Sequence, residues 1–317
     1  MATRILVIGS SSLVGSHFVE YFSGKYEISA IGRKNIFESK DLLVSFHNAD
    51  LKNRIALQNA IESSDAEFVI NYAARTDVDQ CEKERGNTEG EVYLVNTECL
   101  HWITEVCRKT NKMLFQISTD FVFDGTQGPY TEDAIAGPIG KPTSWYGFTK
   151  HLAEKGIIQS LSHYCIARIS YPYRAKYDLK LDFARSVLEL YGKGRLYPLF
   201  TDQIISPTLI DDVSAGIDFL IRENLGGIYH IASRDTTSPF DFASKLISVF
   251  LSTEDAARLE RGSILKLEER SGRAPRPVKG GLLVDKITNL GFTPKTVSEG
   301  VQELYSQFQS ARRSSAQ

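Results

Sequence analysis

Tyr146 and Lys150 stand four residues apart in the run Tyr146-Gly147-Phe148-Thr149-Lys150, a spacing that puts both side chains on one face of a helix. A phenol is protonated at neutral pH, with a reference pKa of about 10. A neighbouring ammonium stabilises the phenolate and so lowers that pKa. Such a pair can protonate the oxygen of a ketone while hydride arrives at its carbon, and Lys150 can also hydrogen-bond a nicotinamide ribose. Upstream, Gln116-Ile117-Ser118-Thr119-Asp120-Phe121-Val122-Phe123-Asp124-Gly125 leaves the end of a predicted strand, where open α/β sheets bind their ligands. A hydroxyl there can polarise a substrate carbonyl. Thr119 is the preferred candidate, and Ser118 closing the strand end is its competitor.

The same chemistry needs a hydride donor, and the N-terminus supplies a place for one. Gly9-Ser10-Ser11-Ser12-Leu13-Val14-Gly15 falls between a predicted first strand and first helix, the position of a dinucleotide-binding glycine loop. Gly9 permits the turn, Gly15 lets the helix approach the strand, and the helix N-terminus suits a pyrophosphate. Ser12 replaces the usual central glycine, and its hydroxyl offers a donor in return. The second strand ends in Arg33 and Lys34 with no acid. An Asp or Glu there would hold the ribose hydroxyls of NAD, whereas cations suit a 2′-phosphate. The expected cofactor is therefore NADPH, with NADH second.

These residues must be positioned by regular elements, and the apolar pattern gives them. Predicted strands are Arg4–Ile8, Tyr26–Ile31, Leu42–Phe46, Glu67–Tyr72, Lys112–Ser118, Tyr164–Ile169 and Gly227–Ala232. Predicted helices are Leu13–Phe22, Ile55–Ile61, Glu91–Arg108, Trp145–Leu161, a stretch near Leu181–Leu190, and Asp211–Arg222. Alternation at this pitch means an α/β fold, a Rossmann-type doubly wound parallel sheet. After Ser170 the rhythm changes. Residues 1–171 and 208–233 read as the dinucleotide-binding domain, and 172–207 with 234–309 as a smaller, discontinuous C-terminal substrate lobe. Residues 310–317 read as a frayed polar tail.

Composition narrows the function classes. Among 317 residues, 37 Lys+Arg against 39 Asp+Glu give a formal net charge of −2, which argues against a chain built to wrap nucleic acid or lie on an anionic membrane. No stretch approaches the roughly 20 apolar residues of a membrane span, and the N-terminal apolar run is too short for a signal peptide. Cys81, Cys99, Cys107 and Cys165 lack C-x-x-C spacing, so reduced core thiols are expected, with no metal site and a cytoplasmic location.

The glycine loop, the S-T-D-F-V-F-D-G segment and the Tyr–Lys pair together resemble the extended short-chain dehydrogenase/reductases, and more narrowly the dTDP-4-dehydrorhamnose reductase family. Further matches are Val69–Asp79, Gly128-Pro129-Tyr130-Thr131-Glu132-Asp133, Asp202–Thr208, Gly227–Ala232 and Arg273-Ala274-Pro275-Arg276-Pro277. The resemblance implies a reductase of a nucleotide-linked 4-keto-6-deoxysugar, with hydride delivered to C4, Tyr146 as proton donor, and Thr119 and Lys150 assisting. It also implies cofactor contacts at Asp50, Leu51, Tyr72, Ala73 and Ala74. Asp120, Phe121 and Tyr171 would hold the substrate, with Arg273 and Arg276 on its diphosphate. A homodimer is expected. Four departures bear on the pocket: Phe121 for a usual Tyr, Tyr171-Pro172-Tyr173-Arg174 for a usual W-V-Y-G, Ile205 for a glycine, and Gly137–Ser144, which lengthens the approach to Tyr146. Phe121 also stands where a related dehydratase carries its basic Glu. A sugar-nucleotide epimerase and a non-catalytic regulatory subunit, like the β-subunit of methionine adenosyltransferase, are the alternatives.

Overall fold

The structure is a computed structural model that describes residues 2–37, 42, 44–268 and 273–315. Among the described residues nine strands form, in chain order: β1 (Arg4–Ile8), β2 (Glu27–Gly32), β3 (Val44–Asn48), β4 (Phe68–Asn71), β5 (Met113–Thr119), β6 (Tyr164–Ile169), β7 (Leu199–Phe200), β8 (Gly227–His230) and β9 (Arg261–Gly262). Seven of them make one sheet in the order β3-β2-β1-β4-β5-β6-β8, every pair parallel. The strand order reverses at β1, so the loops after β1 and β4 open onto a crevice at the C-terminal edge of the sheet. The expected doubly wound α/β fold is present.

The central strand shows why. In β1, Ile5 and Val7 enter one core cluster and Leu6 and Ile8 another, because successive side chains of a strand point to opposite faces. A strand covered on both faces reads as a continuous apolar run. The first cluster packs helices Leu13–Phe22 and Ile210–Arg222 on one face. The second packs Arg54–Glu62, Cys99–Thr110 and Trp145–Ser160 on the other. All four cysteines are buried and unpaired, three of them within helices or strands of these layers.

A third cluster gathers Tyr173, Ala184, Leu199 and Leu209 with Phe242, Leu246, Val301 and Leu304. It joins chain from 173–209 to chain beyond 240. The short parallel pair β7–β9 borders it.

Two predicted elements differ by more than a shift of a residue or two at their ends. The helix expected as regular over Glu91–Arg108 contains a π turn at Leu94–Glu98 before resuming at Cys99–Thr110. The tail expected to fray from 310 instead continues the last helix, Val297–Ser315. There the Ser310 hydroxyl donates back to the Ser306 carbonyl (3.0 Å), a local bond that Ser makes readily on a helix. Residues 316–317 and residue 43, within the third predicted strand, lie outside the described residues.

Candidate active site

Gly9 ends β1 with φ +75°. A Cβ there would sit 2.6 Å from the Ala73 amide nitrogen, and one on Gly15 would sit 2.6 Å from the Gly9 carbonyl. Neither position tolerates a side chain, so β1, β4 and the first helix meet without intervening bulk. Ser12 caps that helix, its Oγ accepting from the Gly15 amide at 3.0 Å. That bond uses a lone pair and leaves the hydroxyl proton to donate, so the substitution of the central glycine is a cap rather than a gap. Ser10 Oγ, Tyr72 Oη and Ser118 Oγ are buried polar atoms with no partner among the described residues. Buried polar atoms are ordinarily paired, so these three are candidates for bonds to a bound molecule.

The other cofactor candidates follow the C-terminal ends of β2, β3 and β4, at the same edge of the sheet as this loop. Gly9 donates to the Ile31 carbonyl (3.3 Å), which brings the end of β2 alongside. Arg33 and Lys34 follow immediately, both exposed. Asp50, beyond β3, accepts from the Lys52 amide (3.0 Å), and the Leu51 carbonyl accepts from Cys99 Sγ (3.2 Å). A cleft of about 550 Å³ is lined by Ser12, Leu13, Val14, Tyr72, Ala74, Ser118, Thr119, Asp120, Phe121, Tyr146, Lys150, Tyr171 and Arg276 among others. Loop and catalytic candidates therefore share one cavity. Gly9, Ser10, Ser11, Gly15, Arg33, Lys34, Asp50, Leu51, Ala73 and Arg273 are not among its lining residues.

Helix Trp145–Ser160 starts where it does because the Ser144 hydroxyl accepts from the Gly147 amide (3.1 Å). Its approach to the turn after β5 is very close: a Cβ on Gly147 would lie 2.0 Å from the Phe121 carbonyl oxygen. Tyr146 and Lys150, both buried, are thereby pressed against the β5 end. Lys150 Nζ donates to the Ile117 carbonyl at 2.7 Å. Thr119 Oγ1 accepts from the Phe121 amide (3.2 Å), donates toward Asp120 Oδ1 (3.2 Å), and lies within hydrogen-bonding reach of the Tyr146 phenol. Ser170 Oγ donates to Asp120 Oδ2 (2.9 Å).

The protonation pattern corrects one expectation. Sequence spacing alone predicts a phenol whose pKa Lys150 lowers. In the structure burial dominates and raises the Tyr146 pKa, with the Thr119 hydrogen bond opposing and Asp120 and Cys81 adding to the rise. Burial also lowers Lys150 to about 8, against the pull of Glu154. It raises Asp120 to about 6, opposed by the hydrogen bonds from Ser170 and Thr119. The reason is desolvation, which penalises whichever form is charged. Burial therefore favours the neutral, proton-bearing phenol.

Several supporting residues escaped the sequence reading. Asn96, turned inward by the π turn, accepts from the Arg75 amide (2.8 Å) and donates to the Arg75 carbonyl (3.1 Å) and Thr149 Oγ1 (3.1 Å). It ties the segment after β4 to the Tyr146 helix. A lone amide among the apolar positions of that predicted helix was the available signal. Glu154 pairs with Arg168 on β6 through two bonds of 3.0 and 2.7 Å, both side chains 3% exposed.

On the substrate side, the Phe121 ring meets Tyr146 edge-on (5.8 Å between centroids) and lies 6.4 Å from Tyr171. Tyr171 adopts φ +42°, and Gln203 Nε2 donates weakly to its hydroxyl (3.4 Å). The two arginines expected on a diphosphate are not placed alike. Arg276 lines the cleft and donates to Asp79 Oδ2 (2.8 Å). Arg273 is half exposed and reaches the same oxygen only at 3.9 Å. Arg174, in a position where the related pattern has glycine, donates to the Leu13 carbonyl (3.1 Å), Ser16 Oγ (3.0 Å) and Glu20 (2.9 Å). Tyr177 Oη donates to the Ser11 carbonyl (2.6 Å). The segment after β6 is thus strapped to the glycine loop and the first helix.

Sheet order, glycine loop and the Thr119–Tyr146–Lys150 cluster define an extended short-chain dehydrogenase/reductase. Residues 3–310 match the sequence family described as RmlD substrate binding domain, and the chain belongs to it. It is 29% identical over 266 residues to a probable low-salt glycan biosynthesis reductase, Agl14, of Haloferax volcanii, covering 83% of this chain and 84% of that protein. It is 27% identical to a dTDP-4-dehydrorhamnose reductase of Sinorhizobium fredii, covering 90% of each. A solved dTDP-4-dehydrorhamnose reductase of Bacillus anthracis, in complex with NADP, superposes with a TM-score of 0.78 at 25% identity, over 97% of this chain and 99% of that one. No helix among the described residues is long and apolar enough to cross a membrane.

Proposed function

We propose that this protein is an NADPH-dependent reductase of a nucleotide-linked 4-keto-6-deoxysugar. The observation that carries the reading is the convergence of Thr119, Tyr146 and Lys150 with the phosphate loop in one cleft. The relatives named as dTDP-sugar reductases and the NADP complex of a similar structure support it. The unpartnered Ser10, Tyr72 and Ser118 hydroxyls and the exposed Arg33–Lys34 pair fit a phosphorylated dinucleotide. In this reading the sheet with its two flanking helix layers, residues 1–171 and 208–233, carries the cofactor. Residues 172–207 and 234–309 carry the sugar nucleotide.

When bound, the nicotinamide supplies a hydride, here to C4 of the sugar. The chain's own groups do the rest. Thr119 and Tyr146 hydroxyls hydrogen-bond the ketone oxygen and resist charge accumulation there. Tyr146 Oη gives its proton to that oxygen, and the product is the alcohol. The Tyr146 phenolate regains its proton from the Thr119 hydroxyl, which takes one in turn from protonated Asp120; the raised Asp120 pKa keeps a fraction of that carboxyl protonated near neutrality. Lys150, fixed on the Ile117 carbonyl, orients the ribose. Phe121 stands where the related dehydratase carries its Glu, so the carboxylate that serves elimination there is replaced by an apolar ring.

The direct test is oxidation of NADPH and NADH with a panel of nucleotide-linked 4-keto-6-deoxysugars. Turnover is expected with NADPH preferred, and Tyr146→Phe should reduce kcat by about 10²–10⁴. Sugar isomerisation without net NADPH consumption would move the assignment to an epimerase. NADPH binding without either reaction would move it to a regulatory subunit.

A further inference from the structure

Arg276 and Asp79 lie 197 residues apart in sequence yet line the same cleft. Asp79 belongs to the short helix Val78–Glu82 that follows β4, and Arg276 to the basic loop near the C-terminus. The carboxylate collects the loop: Oδ2 accepts from Arg276 Nη2 (2.8 Å) and Oδ1 from the Ala274 amide (3.3 Å). The contact is single-pronged on the arginine side, since Arg276 Nη1 donates to the Ala274 carbonyl instead (3.1 Å). A guanidinium matches phosphate and carboxylate oxygens best as a two-pronged fork, so Asp79 under-uses it. The pair is not locked away either. Arg276 is 18% and Asp79 38% exposed, in the range where an ion pair contributes little and exchanges readily.

Resting on the sugar-nucleotide reading of this cleft, we propose that Asp79 is an intramolecular stand-in for the substrate's diphosphate. It holds Arg276 until a diphosphate displaces it. In the unliganded cleft the carboxylate keeps the guanidinium aimed inward and blocks weaker monoanions. A diphosphate, with more charge and several oxygens, wins the fork, and Asp79 turns to solvent. Although burial opposes it, the Arg276 contact keeps the Asp79 carboxyl below its ordinary pKa, so the competitor is charged throughout the working range. Asp79 thereby sets which anions reach Arg276, a specificity role distinct from the proton chemistry at Tyr146.

The sign of one affinity change separates this from a purely structural clamp. Calorimetric titration of dTDP and UDP into the NADP-saturated full-length protein would be compared for wild type, Asp79→Asn, Arg276→Gln and the double variant. Removing the competing charge should tighten nucleoside diphosphate binding about two- to fivefold, the span of an exposed ion pair. The gain should vanish in the Arg276→Gln background, where both proteins bind weakly. Weaker or unchanged binding by Asp79→Asn would overturn the proposal, as would the same gain with and without Arg276, which marks plain charge repulsion. Should no variant and no wild type bind either nucleotide, the sugar-nucleotide reading itself falls, and this inference with it. Circular dichroism of each variant, expected unchanged, shows that the isosteric substitutions leave the fold intact.

Discussion

Two arginine–carboxylate pairs in this chain have the same chemistry and opposite surroundings. Glu154 and Arg168 are each 3% exposed and joined by two short bonds. Arg168 lies over the Phe123 ring at 4.9 Å and 3.5 Å from His230 Nε2. Asp79 and Arg276 meet at the cleft mouth through one bond, with water on one side. In the buried pair, neither group can leave without stranding the other in a low-dielectric interior. In the mouth pair, either partner can be replaced by solvent or by another ion. Burial, rather than residue type, decides which pair is a structural rivet and which is a recognition element. The rivet fastens the helix carrying Tyr146 and Lys150 to β6, so it bears on catalysis only through position.

The largest expected effect breaks the rivet. Arg168→Met should cost about 3–5 kcal/mol of stability in urea melts, because Glu154 is left charged and unpaired. Adding Glu154→Leu should recover most of it. If the single variant matches wild type, the two pairs are not different in kind.

A smaller effect sharpens the same contrast through pH. Burial, and then the Arg168 charge, lower His230 from 6.5 to about 3. Its imidazole is held by the Leu283 carbonyl (3.0 Å). A depressed folded-state pKa means stability that is present above 6.5 and lost as pH falls toward 3, since the unfolded chain takes up a proton that the folded one refuses. His230→Gln should flatten the stability profile in that window, by roughly 2–4 kcal/mol across it. An unchanged slope would show that other groups carry the acid sensitivity.

The smallest effect belongs to the mouth. Asp79→Asn should change stability by less than about 1 kcal/mol, with even that difference fading at high salt. A loss as large as that of Arg168→Met would make the mouth pair a second rivet and remove the reason to expect ligand exchange there.

The sequence carried the scaffold and the chemistry unevenly. The strand Arg4–Ile8, the helix Leu13–Phe22 and the strand Tyr164–Ile169 were legible to the residue. Apolar runs and a hydroxyl cap are local signals. The π turn at Leu94–Glu98 was not, because the slipped hydrogen-bond register serves Asn96, whose partners Arg75 and Thr149 are distant in sequence. Thr119, Tyr146 and Lys150 could be named from spacing. Their acid–base state could not, since Tyr146 and Lys150 titrate according to how deeply they are buried. Arg273 and Arg276 look interchangeable in the sequence, and only folding puts one in the cleft and the other on its rim.

Where strands and helices start, where glycine must stand, and which side chains can donate a proton are short-range matters, written in residues within a turn or two of one another. Which carboxylate faces which guanidinium, and how much water each keeps, is fixed by the folded chain alone. Electrostatic roles depend on distance and desolvation in three dimensions, and residues 79 and 276, or 154 and 168, acquire both only when the chain closes on itself.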